Sequence, residues 1–310
     1  MYSAANAPSQ FTWMDRSGKR LGVVGEPADY GVWRLSPDGR RIAASRFRPG
    51  GLDLWLLDVA RGVSSRFTDP SATNVQGYPV WSPDSRMIVF SAGFARHSLY
   101  LKDTEAATER PIIETPSIWL PLDWSRDGRF ILNSAMASGT GVDLWTLPVT
   151  ASGSPAADAE PTPYLRTPFY DGNGRFSPEV NPHWVAYTSD ESGQYEVYID
   201  TFPERRHKTP ISTGGGQYPE WGPGGRELYY VSPDLKLMVA SLKLGTDSVE
   251  PSAPRELFSL PATDNNYGIY QPTPDGQRFL VRATAQDRAG EPLTVIVNWP
   301  AMLEKGSAAQ

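Results

Sequence analysis

The residue types able to do covalent or metal chemistry are few and scattered along this chain. It has 310 residues, no Cys and three His, so thiolate catalysis, disulfides and Cys-based zinc sites are excluded. His97, His183 and His207 share no H-x-x-x-H or H-E-x-x-H spacing and read as solvent-facing loop residues rather than metal ligands. No G-x-S-x-G elbow occurs, so the Ser residues read as turn caps and not as nucleophiles. Gly214-Gly215-Gly216 has neither a following Lys-Ser/Thr nor a helix behind it, which makes it a connection between repeats rather than a phosphate cradle. Asp171-Gly172-Asn173-Gly174 carries oxygens suited to calcium, but one acid without a distal bidentate Glu reads as a turn. No catalytic residue, cofactor or metal is assigned from these patterns.

Two other sets recur at fixed places relative to a repeated turn. Three residues before the turn Pro, or its equivalent, stand Arg34, Val80, Asp123, Arg175, Glu220 and Gln271, a ladder with five polar members of mixed sign. Such a ladder suits a polar channel lining that could receive a charged side chain or chain terminus from a partner. Further upstream each repeat carries an aromatic: Tyr30, Tyr78, Trp119, Tyr170, Tyr218 and Tyr267. These are expected to ring one mouth of the channel, where Tyr and Trp combine apolar area with a polar tip; the competing expectation is that they only cover the tops of sheets.

The elements that must position both sets follow from the turn itself. Its copies are Leu35-Ser36-Pro37-Asp38-Gly39-Arg40, Trp81-Ser82-Pro83-Asp84-Ser85-Arg86, Trp124-Ser125-Arg126-Asp127-Gly128-Arg129, Phe176-Ser177-Pro178-Glu179, Trp221-Gly222-Pro223-Gly224-Gly225-Arg226 and Thr273-Pro274-Asp275-Gly276-Gln277. Pro presets φ, Asp bonds its own backbone and Gly tolerates positive φ, so each closes a hairpin. Short runs rich in β-branched and aromatic residues follow, such as Met87-Ile88-Val89-Phe90 and Leu228-Tyr229-Tyr230-Val231, and read as buried strands. A third strand shows as Asp53-Leu54-Trp55, Ser98-Leu99-Tyr100, Asp143-Leu144-Trp145 and Glu196-Val197-Tyr198, with a weaker fourth behind it. Four strands per unit of roughly 40 to 50 residues is a propeller blade.

The expected fold is therefore all-β, a six-bladed β-propeller of four-stranded antiparallel blades, with a seven-bladed or incomplete propeller as the alternative. Blades are expected at about 30-69, 76-115, 119-166, 169-213, 217-259 and 267-300, within one domain at 11-303 and between disordered ends at 1-10 and 304-310. The last unit has two clear strands and then Leu293-Thr294-Val295-Ile296-Val297-Asn298-Trp299, which reads as its third. Its missing outer strand is expected from the N-terminal hairpin at 11-25, which would cover an open edge. That hairpin holds one strand more than this scheme needs.

Bulk composition excludes more than it reveals. A formal net charge of −6 with no basic run argues against a nucleic-acid partner. No apolar run approaches a membrane span, so no membrane insertion by this chain is expected. Residues 1 to 10 have neither a basic start nor an apolar stretch, so no export signal is expected in them. Thr150 to Pro163, rich in Ala, Pro and Ser, reads as a surface loop, and a monomer is expected.

The Ser-Pro-Asp-Gly-Arg repeats resemble those of the TolB-like propeller family over nearly the whole chain. More specific strings, Thr12-Trp13-Met14-Asp15-Arg16-Ser17-Gly18-Lys19, Tyr187-Thr188-Ser189-Asp190-Glu191-Ser192-Gly193-Gln194-Tyr195-Glu196-Val197-Tyr198, Ser212-Thr213-Gly214-Gly215-Gly216 and the closing Leu293 to Trp299, resemble the C-terminal propeller region of bacterial, acidobacterial-type, eukaryotic-like Ser/Thr protein kinases. The resemblance implies a protein- or peptide-binding module in a periplasmic or extracytoplasmic setting, and brings no catalytic residues. Kinase activity does not carry over, since the chain has no Gly-rich loop, H-R-D or D-F-G. The chain departs from the repeat at Arg126, Glu179-Val180-Asn181 and Gly224. The expected function is a non-catalytic binding or sensor module acting at the channel mouth; the alternative is a propeller hydrolase or lyase acting on peptide or oligosaccharide through channel carboxylates such as Asp123 and Glu220.

Overall fold

The computed structural model describes residues 8–49, 51–68, 75–93, 97–115, 117–137, 139–157, 160–261 and 268–285. An N-terminal hairpin, β1 (Ser9–Asp15) and β2 (Arg20–Ala28), precedes the first blade. Blade 1 is β3 (Tyr30–Leu35), β4 (Arg41–Arg48), β5 (Gly51–Asp58) and β6 (Ser64–Arg66). Blade 2 is β7 (Val75–Trp81), β8 (Met87–Ala92), β9 (His97–Asp103) and β10 (Arg110–Thr115). Blade 3 is β11 (Trp119–Trp124), β12 (Phe130–Ala137), β13 (Gly141–Pro148) and β14 (Thr162–Leu165). Blade 4 is β15 (Asp171–Phe176), β16 (Trp184–Ser189), β17 (Glu196–Thr201) and β18 (Thr209–Pro210). Blade 5 is β19 (Gln217–Trp221), β20 (Glu227–Val231) and β21 (Lys236–Leu244), whose outer edge is shared by β22 (Val249–Pro251) and β23 (Arg255–Ser259). Blade 6 begins with β24 (Tyr270–Pro272) and β25 (Arg278–Thr284).

Blade 6 is completed from the other end of the chain. Its strand order is β24, β25, β1, β2, with β1 antiparallel to β25 from Ser9 opposite Thr284 to Asp15 opposite Arg278. The hairpin therefore supplies both outer strands, and the surplus strand of the sequence reading disappears. Pairing that begins at Ser9 also corrects the expected disordered stretch 1-10, because Ser9 and Gln10 are in register with Thr284 and Ala283. Leu293 to Trp299, read as the third strand, lies outside the described residues, as does the tail 304-310.

The core is distributed over the junctions between sheets. Six apolar clusters lie at the six junctions, from Ala43, Leu54 and Phe67 against Trp81, Ile88 and Phe90 between blades 1 and 2 to Tyr229 and Phe258 against Tyr270 and Phe279 between blades 5 and 6. The cluster of Phe11, Val24, Tyr30, Trp33, Ile42, Leu57 and Leu280 joins blade 6 to blade 1 and closes the ring. Trp33 is fully buried there, packs edge-on against Phe11 at 4.9 Å between ring centres and donates its indole N–H to the Gly268 carbonyl. Burying about 200 Å2 of indole at ~25 cal/mol per Å2 contributes at most about 5 kcal/mol. Six packed junctions and a closed sequence of sheets make this a six-bladed β-propeller.

The repeated turns share one internal wiring. In blades 1 to 3 the Ser hydroxyl donates to the Asp carboxylate at 2.5–2.6 Å. The same carboxylate accepts the Arg40, Arg86 or Arg129 backbone N–H, and the Ser oxygen accepts the first N–H of the next strand. Blade 6 repeats this with Thr273 and Asp275. Blade 4 reaches across its longer loop with Glu179, which accepts from Ser177 and the His183 N–H. Blade 5, with Gly in place of Ser and Asp, folds Pro223–Gly225 into one 3-10 turn with Gly224 and Gly225 at φ 60° and 72°, a region that glycine enters without a Cβ penalty.

Candidate functional site

The channel is bounded by the six inner strands, β3, β7, β11, β15, β19 and β24. In blades 1 to 5 the register slips just before the ladder residue, between Tyr30 and Trp33, Gly77 and Val80, Pro121 and Asp123, Gly172 and Arg175, and Gln217 and Glu220. A bulge adds a residue and re-aims the side chains that follow it. Tyr78, Asn173 and Tyr218 occupy the bulges of blades 2, 4 and 5 with φ of 56°, 54° and 56°, left-handed values that non-glycine residues adopt only where neighbours hold them.

Beyond the bulges the ladder converges on a cavity of about 380 Å3 at the turn end of the channel. Pro37, Pro83, Pro178, Pro223 and Pro274 form its rim, with Arg126 at the blade 3 position, and Arg34, Val80, Asp123, Arg175, Glu220 and Gln271 form its floor. Glu220 Oε1 accepts from Arg34 Nη1 at 2.7 Å, across the channel, and from Arg175 Nε of the neighbouring blade at 2.9 Å. Arg175 Nη1 also donates to the Leu122 and Gly174 carbonyls. The two carboxyl oxygens of Asp123 accept the Trp124 and Phe176 backbone N–H groups at 2.9 and 2.8 Å. Gln271 accepts the Leu35 N–H at 2.5 Å. Trp81 and Trp221 lie behind the floor, donating their indole N–H groups to the Arg34 and Arg175 carbonyls at 3.0 and 3.1 Å.

Burial in this ring pushes the Asp123 carboxyl up to about 7; the Phe176 N–H works against that and the Glu220 charge adds to it. Glu220 is also raised, by burial first, with Arg34 and Gln271 pulling the other way. Each of Arg34 and Glu220 keeps 14% of its side-chain exposure, all that the open cavity admits. Among the described residues, no group of three or more His, Cys, Asp or Glu converges to hold a metal.

The aromatic end differs from the sequence expectation. Tyr30 and Trp119 are buried at 1% and 4% exposure: Tyr30 donates to the Glu26 carbonyl inside the closing junction, and Trp119 packs on Trp145 at 5.4 Å between blades 2 and 3. Both are taken up by packing, so the expected ring is broken. Tyr78, Tyr170 and Tyr218 are half-buried, with Tyr170 edge-on to Tyr195 at 5.2 Å. Tyr267 lies outside the described residues. A second cavity of about 290 Å3 opens at this end between Tyr195, Tyr218, Gly215, Pro233, Leu235 and Ile269. Sequence reasoning missed it, although Gly215 at φ 106° and Gly216, read only as a connection, mark where a side chain would collide with Pro233 or Ser212. It also missed Arg126 as a cavity residue, noting only its departure from the repeat.

No protein-family model and no curated protein matches the chain. Solved structures do match. A protein assigned as TolB from Agrobacterium tumefaciens superposes with a TM-score of 0.68 at 19% identity, over 90% of this chain and 99% of that one. TolB from Acinetobacter baumannii gives 0.57 at 14% identity, over 89% of this chain and 64% of that one. The fold is that of TolB-like propellers. The same TolB-like architecture extends to enzymes: an oligogalacturonate lyase in complex with manganese matches with a TM-score of 0.56 at 16% identity, over 89% of this chain and 78% of that one. At such identities the likeness carries the architecture and no residue's role. Among the described residues no helix is long and apolar enough to cross a membrane.

Proposed function

We propose that this chain is a non-catalytic binding module that receives a protein or peptide segment at the turn end of its channel. The observation that carries this reading is the cavity of about 380 Å3, a size that suits a few side chains, set inside a rim held by hydrogen-bonded Pro-containing turns. Rigid turns lower the ordering cost of capture. The similarity to TolB structures supports a binding role. The resemblance of four sequence strings to kinase-linked propellers supports a sensor role in an extracytoplasmic setting, with the half-buried Tyr78, Tyr170 and Tyr218 offering a further contact surface at the far end.

Panning the purified chain against a random peptide library tests the reading. Capture is expected, with loss on Val80→Trp, which fills the channel, and on Arg126→Glu at the exposed rim, while Tyr195→Ser at the other end leaves it intact. Capture that survives both channel changes moves the site elsewhere.

One observation favours a second reading, a hydrolase or lyase: the Asp123 carboxyl near neutrality is tuned as a general acid or base would be. Its bonds oppose it, because both oxygens accept backbone N–H groups and Glu220 Oε1 is held between two guanidinium groups. Turnover of peptides or oligosaccharides that disappears in Asp123→Asn would replace the binding reading with this one.

A further inference from the structure

The cavity differs in charge from the chain that builds it. Against a formal net charge of −6 for the whole molecule, its lining carries three guanidinium groups, Arg34, Arg126 and Arg175, and two carboxyls, Asp123 and Glu220. Burial favours protonation of Asp123, which moves the lining further toward positive charge. The remaining acids of this end do not line the cavity. Asp38, Asp84, Asp127, Glu179 and Asp275 each hold a hydroxyl and a backbone N–H of their own turn.

The guanidinium groups also retain donors. Arg34 donates through Nη1 alone, and Arg175 uses Nε and Nη1, so Nε and Nη2 of Arg34 and Nη2 of Arg175 have no partner among the described residues. None of these atoms is among the buried unpaired ones, so each keeps some surface open to solvent, and both side chains line the cavity. Arg126 stands exposed on the rim above them. A planar fork of N–H donors matches a carboxylate better than any other group of a polypeptide.

Resting on the channel-binding reading above, we infer that the turn-end cavity selects its polypeptide ligand by a carboxylate, held by the open donors of Arg34 and Arg175 and drawn in by Arg126. A chain terminus and an Asp or Glu side chain present the same group and differ only in the backbone that must follow it through the rim.

The test is a titration followed by the 15N–1H signals of the Trp81 and Trp221 indoles, which bond the Arg34 and Arg175 carbonyls and are identified by Trp→Phe substitution. The probes are N-acetyl-tetraalanine as free acid and as amide, N-acetyl-Ala-Asp-Ala-amide, N-acetyl-Ala-Lys-Ala-amide and acetate. The free acid, the Asp peptide or both are expected to shift these signals with saturation, roughly tenfold or more tighter than the neutral amide; which of the two binds names the source of the carboxylate. Arg126→Ala, an exposed change that leaves the fold intact, is expected to weaken binding about threefold to tenfold. Arg34→Gln should abolish it and Arg34→Lys restore part of it. Equal binding of acid and amide, or preference for the Lys peptide, overturns the carboxylate assignment while leaving a peptide site. Shifts with acetate but with no peptide sink the polypeptide reading and leave the carboxylate site, and silence from every probe overturns both.

Discussion

The two ends of the channel are built from the same six strands and differ in what their side chains are left free to do. At the aromatic end Tyr30 and Trp119 are absorbed into the junctions between blades, and their recurrence reports how neighbouring sheets pack. At the turn end the ladder residues keep a solvated face and uncommitted donors around one cavity. Regular recurrence in sequence is thus a sign of architecture first, and chemistry enters where charged groups are buried only in part.

The sharpest way to break this contrast is Trp33→Ala. It empties the junction that closes the ring and removes the bond to Gly268, with an expected loss of about 4 kcal/mol by urea denaturation. If the contrast holds, peptide capture by the remaining folded fraction is unchanged. Glu220→Gln probes the other end. Removing the charge between Arg34 and Arg175 is expected to cost on the order of 2 kcal/mol of stability, and to tighten carboxylate binding by about tenfold, measured by the same titration; weaker binding would mean that Glu220 itself contacts the ligand.

The third test is pH dependence. The Asp123 carboxyl sits near 7 in the fold and at about 3.9 in an unfolded chain. Between those values the folded state holds a proton that the unfolded state releases, so this group makes stability fall as pH rises from about 4 to 7. Glu220 and Arg34 face it, and their charges enter the same slope. From pH 5 to 7 the urea midpoint of the unaltered chain should fall relative to that of Asp123→Asn and the difference should level off by pH 8, because Asn lacks the penalty of ionisation; parallel curves would refute the assignment. The smallest effect is expected from Asp38→Ala, which removes the acceptor for Ser36 and the Arg40 N–H. A loss of about 1 kcal/mol, with channel binding untouched, is expected from calorimetry.

The blades were legible because their signals are local: a Pro-Asp-Gly turn and the strand behind it are written within ten residues. The ladder from Arg34 to Gln271 was legible by its fixed offset from that turn. Closure was less so, since pairing of β1 with β25 spans almost the whole chain, and Phe11 to Asp15 reads as a strand equally well in either of the two outer positions of a blade. The fate of the aromatics was illegible for a different reason. A one-residue bulge decides whether a side chain enters the channel or a junction, and nothing in Tyr78 or Tyr218 announces a positive φ.

The antiparallel run of β1 against β25 also fixes how the ring responds to tension. Ser9 lies opposite Thr284, so these two residues sit side by side at one end of the same pair of strands. A pull that separates them loads the cross-strand bonds one after another, as a zipper opens, instead of all at once in shear. Under traction between Ser9 and Thr284 this seam through blade 6 is loaded one bond at a time, and Phe11, third along it, peels away from Trp33 as it opens.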